Sequence, residues 1–247
     1  MRIICLHGNG TNSAIMKLQT APLIHELEDD HEFEFVEGTL QAPMAEGIES
    51  LATPADQAFY AFYNPDDPAT LLVALDQLSS YVDDQGPFDG VVAFSAGAVL
   101  VGLYLLQLWQ QGKPLPFRFA VFFSTASSGA ELAQLSLAPT PGCLKLPTAH
   151  IWGQNDLIAP TGGANMASLC DPSQTFVSVH EGGHEFPRQS KLTEAVHMMR
   201  HVMLMSFCTI CITFVNLRAS SISPCCQPST LAHAVTIHRF RLAPGVY

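Results

Sequence analysis

Charge is scarce in these 247 residues: charged side chains make up 13% of the chain, against 48% hydrophobic. A disordered chain would show the opposite balance, so that class is excluded and a large buried core is expected. Basic residues are scarcer still. There are 11 Lys plus Arg against 22 Asp plus Glu, for a formal net charge of −11. Such a surface repels phosphate backbones and anionic lipid, which argues against nucleic acid or a membrane as partner. Long apolar runs are also missing. Residues 1–8 hold too few apolar residues before His7-Gly8 for a signal peptide, and 202–215 is short of a membrane span. Cys5, Cys143 and Cys170 are isolated and do not suggest a disulfide framework. A cytoplasmic protein is the expectation.

Acidic residues are absent from one whole stretch. All 22 lie within 1–204, so eight basic residues in that body leave it at −14. The 43 residues from Met205 to Tyr247 carry only arginines as charge, together with four of the seven cysteines. This shift divides the chain into a domain, 1–204, and an atypical tail, 205–247, expected to be poorly ordered. Cys208 and Cys211 form a CxxC without the flanking pattern that redox or zinc chemistry needs.

What remains is an alternation of short apolar runs with longer helical patterns. Strands are expected at Ile3–Leu6, Phe33–Val36, Gly90–Phe94, Phe119–Phe123, His150–Trp152 and Thr175–Val179. Helices are expected at Ala14–Leu27, which runs into an acidic cluster, and at Ala69–Val82, Ala96–Gln111 and Gln189–Met203. Continuous runs such as Phe119-Ala120-Val121-Phe122-Phe123 suit a mainly parallel sheet covered by helices on both faces, an α/β fold. The segment Glu37–Asp67 reads as an irregular loop over the sheet edge.

The sharpest local feature is Val91-Val92-Ala93-Phe94-Ser95-Ala96-Gly97, where a strand meets a helix at a serine flanked by small residues. That is the context of a nucleophile elbow, with Ala93 in place of the usual first glycine. A serine before a helix can also be a plain N-cap. A serine nucleophile needs a base and a group to orient it. Asp156 and His184, each just after an expected strand, follow in the required order and share one sheet edge with Ser95. Asp171 is a rival acid and His180 a rival base. His180 and His184 lack a third metal ligand nearby, so no metal and no other cofactor is expected. For an oxyanion, the N–H of Ala96 is one candidate donor. The N–H of Asn9 is the other, with Gly10 second. Gly8-Asn9-Gly10 lacks the third glycine of a dinucleotide loop.

His7-Gly8-Asn9-Gly10-Thr11-Asn12 with Gln19, the stretch Pro87–Ala98, Gly153-Gln154-Asn155-Asp156 and Gly182-Gly183-His184-Glu185-Phe186-Pro187 together resemble the fungal FSH-type serine hydrolases. That family also includes the animal ovarian-cancer-associated hydrolases. The resemblance spans roughly residues 1–204. It implies an α/β-hydrolase fold with Ser95, Asp156 and His184 as catalytic triad. It also implies an esterase or thioesterase of secondary metabolism, such as those that release polyketides from carrier proteins in the lovastatin pathway.

The substrate, free or carried on a protein, is then expected to be a small apolar acyl compound cleaved through an acyl-serine. Tyr60, Phe62 and Tyr63, with Phe59, offer apolar walls, and no basic residue lies between Lys17 and Lys113 to clamp a carboxylate. The same aromatics could equally pack the loop against the core. The alternative to an enzyme is a hydrolase-like binding protein that has lost turnover.

Overall fold

Strands that are apolar on both faces can be stable only between two layers of helix, and the chain builds that sandwich. The computed structural model describes residues 1–27, 31–52 and 58–219, the last twelve by backbone alone. The cluster at 28–30 and the Pro-Cys-Cys-Gln-Pro segment of the tail lie outside the described residues, as do the side chains of Cys208 and Cys211.

Six strands form one parallel sheet: β1 (Arg2–Leu6), β2 (Glu32–Val36), β5 (Gly90–Phe94), β6 (Phe119–Phe123), β7 (Thr148–Gly153) and β8 (Thr175–His180). Their order across the sheet is β2-β1-β5-β6-β7-β8. All five pairings are parallel. This is the α/β-hydrolase architecture, and each expected strand is present. A separate antiparallel pair, β3 (Leu40–Ala42) with β4 (Phe59–Ala61), lies within the stretch read from sequence as irregular.

Alternation along the strands sends side chains into two cores. Ile4, Leu6, Val91, Ala93, Ala120 and Phe122 face helices α2 (Pro68–Gln85) and α3 (Ala96–Gln110). Ile3, Cys5, Val92, Phe94, Val121 and Phe123 face α1 (Ser13–Leu27) and α6 (Gln189–Ala219). Helix α3 is buried from Gly97 through Leu106, which explains why it is apolar on every side. At its end Gly112 takes φ +67, and its N–H bonds the Trp109 carbonyl, closing the helix as a C′ glycine should.

Two short helices were not foreseen: α4 (Gly129–Gln134) and α5 (Gly162–Leu169). Helix α6 does not stop at Met203 but runs without a break to Ala219. Contacts group Met1–Ile210 as one unit and Cys211–Tyr247 as another. Among the described residues, no helix is long and apolar enough to cross a membrane.

Candidate active site

Strand β5 ends at Phe94 and α3 begins at Ala96, so the chain must reverse within one residue. Ser95 absorbs that turn at φ 53, ψ −119, a backbone region that costs a side-chain-bearing residue on the order of 1–3 kcal/mol. The surroundings hold it there. The Ser95 N–H donates to the Phe123 carbonyl at 3.0 Å, and the Ser95 carbonyl accepts from Val99 N–H at 3.1 Å. Small neighbours are obligatory on one side only. A Cβ on Gly97 would collide with the carbonyl oxygens of Leu6 and His7. Ala93 points instead into the apolar core and is fully buried, so its methyl is accommodated where the sequence motif prefers glycine.

Two further loops reach Ser95 from the same sheet edge. Asp156 follows β7 and is 2% exposed. Its Oδ1 accepts the N–H groups of Ile158 and Ala159, both at 2.9 Å, and its Oδ2 lies 2.7 Å from His184 Nδ1. His184 follows β8, and its Nε2 lies 2.7 Å from Ser95 Oγ. The carboxylate thus fixes the imidazole with Nδ1–H donating to Asp156, which leaves Nε2 to accept the serine hydrogen. Phe94 packs edge-on against the His184 ring, with centroids 5.3 Å apart.

The last two loops meet through backbone contacts between segments remote in sequence. The chain after β7 is zipped to the chain after β8: Gln154 N–H to the His180 carbonyl at 2.8 Å, and Asn155 N–H to the Gly182 carbonyl at 3.1 Å. The Asn155 side-chain amide adds a bond to the Glu181 carbonyl at 2.6 Å. Gly153 permits this approach, since a Cβ there would overlap the carbonyl oxygens of Gly182 and Gly183. Read as a close-approach position, the glycine of Gly153-Gln154-Asn155-Asp156 was the one available signal.

The rivals fall elsewhere. Asp171 precedes β8, at the opposite sheet edge, where it binds Lys145 and caps its own turn through Ser173. Those hydrogen bonds hold its carboxyl down at about 2. His180 is buried, its Nδ1 accepts Gly182 N–H at 3.2 Å, and burial lowers its pKa. It shapes the turn that presents His184 and does not reach the serine.

The loop after β1 passes close to the serine. A Cβ on Gly8 would stand 3.1 Å from Ser95 Cβ, so only glycine fits without displacement. Gly10 N–H is spent on the Tyr60 carbonyl at 2.9 Å, which removes Gly10 as an oxyanion donor. Among the described residues, no backbone acceptor takes the N–H of Asn9 or of Ala96.

Ser95 and His184 open into a groove of about 1020 Å³. Its apolar walls include Pro22, Ile48, Leu51, Ile158, Phe186 and Leu192, and its polar members include Gln19, Glu46, Glu185 and Arg188. The aromatics expected to line it do not. Tyr60 lies in β4 opposite Gln41, and Phe62 packs on the His7 ring at 4.7 Å. Tyr63 is 3% exposed and donates to Glu131 Oε1 at 3.2 Å. None of the three is among the groove's lining residues, and the same segment contributes Ala45, Glu46, Gly47, Ile48 and Leu51 instead. The groove also holds a cation, Arg188, paired with Glu185 at 2.8 Å. A smaller cavity of about 440 Å³, beside Trp109, Lys113 and Phe117, contains none of these residues.

Comparison with known proteins agrees with this geometry. The serine hydrolase (FSH1) family matches residues 1–196. Esterase FPY3 of Fusarium mangiferae is 37% identical over 198 residues, covering 76% of this chain and 89% of that protein. Hydrolase phiM of a fungal species is 26% identical over 209 residues, 80% of this chain and 92% of that one. Among solved structures, esterase PE8 superposes with a TM-score of 0.57 at 19% identity, over 81% of this chain and 92% of its own, which is a likeness of fold.

Proposed function

The chain belongs to the FSH1 serine hydrolase family, and from that premise we propose that it cleaves an ester or thioester of an apolar acyl group by way of an acyl-serine. The observation that carries the proposal is the continuous hydrogen-bonded line from Ser95 Oγ through the His184 ring to Asp156. His184 Nε2 takes the hydroxyl hydrogen as Ser95 Oγ attacks the carbonyl carbon. Asp156 stabilises the imidazolium that forms. The negative charge gathers on the former carbonyl oxygen, where the N–H groups of Ala96 and Asn9 receive it. Collapse expels the alcohol or thiol, protonated by His184. Water, activated by the same imidazole, then releases the acid and restores the serine.

The groove argues for the substrate class. Its walls are mainly aliphatic, and at its polar side Arg188 and Glu185 offset one another, which leaves the carboxylate of Glu46. An anionic acyl chain would meet repulsion there, whereas a neutral apolar chain gains by leaving water. The resemblance to the fungal FSH-type hydrolases implies a place in secondary metabolism, with a polyketide-type acyl compound, free or carrier-bound, as the proposed substrate.

Labelling with a fluorophosphonate, followed by kinetics on matched p-nitrophenyl esters and acyl thioesters of rising chain length, tests this reading. Labelling is expected in the natural protein and absent in Ser95→Ala, with kcat/KM rising from acetyl to medium chains. A folded Ser95→Ala that still labels or still turns over overturns the serine mechanism. A preference for acetyl over every longer chain overturns the apolar groove.

A further inference from the structure

We propose that His7 is a positioning residue that orients and polarises the Gly8–Asn9 peptide, making the Asn9 N–H a stronger donor to the oxyanion. The inference rests on the reading above that Asn9 supplies one of the two oxyanion donors.

The loop after β1 is pinned at several polar atoms of its backbone. Gly10 N–H donates to the Tyr60 carbonyl at 2.9 Å, Tyr60 N–H returns a bond to the Thr11 carbonyl at 2.7 Å, and Ala45 N–H binds the Gly10 carbonyl at 2.8 Å. The Gly8–Asn9 peptide is held from one end. The carbonyl of Gly8 lies 2.7 Å from His7 Nδ1, while the N–H at its other end, that of Asn9, has no backbone acceptor among the described residues. That N–H belongs to a loop that lines the groove beside Ser95 and His184.

His7 is 0% exposed, so its two ring nitrogens must be matched to their neighbours. Nε2 has two partners that compete for it: the N–H of Gly38 at 2.9 Å and Glu37 Oε1 at 2.9 Å. A neutral ring accepts from Gly38, and a protonated ring donates to Glu37. In both states the hydrogen on Nδ1 is present and points at the Gly8 carbonyl. Only the opposite neutral tautomer would set a lone pair against that oxygen. Glu37 is itself fixed by the Ser13 N–H at 3.0 Å and the Ser13 hydroxyl at 2.9 Å. Partial burial would raise its carboxyl pKa, but the hydrogen bonds from His7 and Ser13 prevail and lower it. The Phe62 ring closes the remaining side of the imidazole at 4.7 Å.

A hydrogen bond to a peptide carbonyl shifts electron density toward its oxygen and leaves the N–H of the same peptide more acidic. Chains of hydrogen bonds strengthen one another in this way. The bond also blocks rotation of the peptide plane, so the Asn9 N–H needs no reorganisation as charge appears on the substrate oxygen. The consequence belongs to the transition state, and so should fall on kcat and leave KM alone.

Three variants and one measurement on the natural protein test the proposal. The amide of Asn in His7→Asn can reach the place of Nδ1 and donate to Gly8, whereas His7→Leu and His7→Gln remove that donor. Against an ester substrate, His7→Leu and His7→Gln should lose about 10–100-fold in kcat with KM unchanged, less than the loss on deleting an oxyanion donor outright. Inhibition by an acyl trifluoromethyl ketone, which carries the oxyanion when added to serine, should weaken by the same factor, and His7→Asn should recover most of both. Full kcat in a folded His7→Leu, or a kcat loss that spares the trifluoromethyl ketone, overturns the proposal, as does a His7→Asn no better than His7→Leu. Should the variants fail to fold, ¹⁵N-histidine NMR of the natural protein decides: a hydrogen on Nδ1 supports the proposal, and a neutral Nε2–H tautomer overturns it. Turnover by Ser95→Ala would instead bring down the underlying serine mechanism, so the two failures are told apart.

Discussion

His150 offers a test of the fold that does not involve catalysis. It sits in the middle of β7, 0% exposed, stacked on Phe122 with ring centroids 5.1 Å apart. Neither ring nitrogen has a hydrogen-bond partner among the described residues. Burial alone lowers its pKa from 6.5 to about 3, so the folded protein keeps it neutral. The unfolded chain does not. Because the folded pKa is the lower one, the stability linked to this group is fully present above pH 6.5 and is lost as pH falls toward 3. The loss runs at about 1.4 kcal/mol per pH unit. Between pH 7.5 and pH 5 that amounts to about 2 kcal/mol, and the figure hardly depends on where below pH 4 the folded group titrates. His150→Leu keeps the side-chain volume close and removes the titration. The assay is urea unfolding followed by tryptophan fluorescence, for both proteins at both pH values. Carboxylates contribute equally to the two proteins and cancel. The variant should therefore gain about 2 kcal/mol relative to the natural protein on going from pH 7.5 to pH 5. A difference between the two proteins that is flat with pH, or that moves the other way, refutes the argument.

Three further outcomes follow from the site. Gly97→Ala drives a methyl into the carbonyl oxygens of Leu6 and His7; a loss on the order of 3 kcal/mol or more, read as a lower melting temperature, is expected at so rigid a contact. Asp156→Asn retains Oδ1 for the Ile158 and Ala159 N–H groups but presents an amide to His184. Circular dichroism should therefore stay unchanged while kcat falls by about 10⁴-fold through the wrong imidazole tautomer. Leu192→Ala enlarges the groove from its α6 side, and competition between acyl chains should shift toward longer or bulkier ones; an unchanged preference would place the acyl chain elsewhere.

The elements legible in the sequence were those whose physics is local. Strands buried on both faces must be continuous apolar runs, so β5 and β6 were found to the residue. The serine at a strand–helix junction and the acid and base after later strands could be placed at one sheet edge, because parallel strands all end there. What stayed hidden was fixed by neighbours remote in sequence. Helix α5 opens with Gly162 and Gly163, a poor helix start by propensity. Yet a Cβ at Gly162 would overlap the Thr125 carbonyl, and one at Gly163 would stand 2.5 Å from the Trp152 ring. Close packing outweighs propensity there. The same holds for the aromatics at 59–63. Their composition suggested a wall for a substrate, but distant partners place them: strand pairing with residues 40–42 for Phe59 and Tyr60, the His7 ring for Phe62 and Glu131 for Tyr63, and a three-residue strand leaves no periodicity to read. The groove wall was invisible for the complementary reason. Ile48, Leu51 and Leu192 look like ordinary core residues in sequence, and only the meeting of residues 45–51 with α6 beside Ser95 makes them walls of one groove.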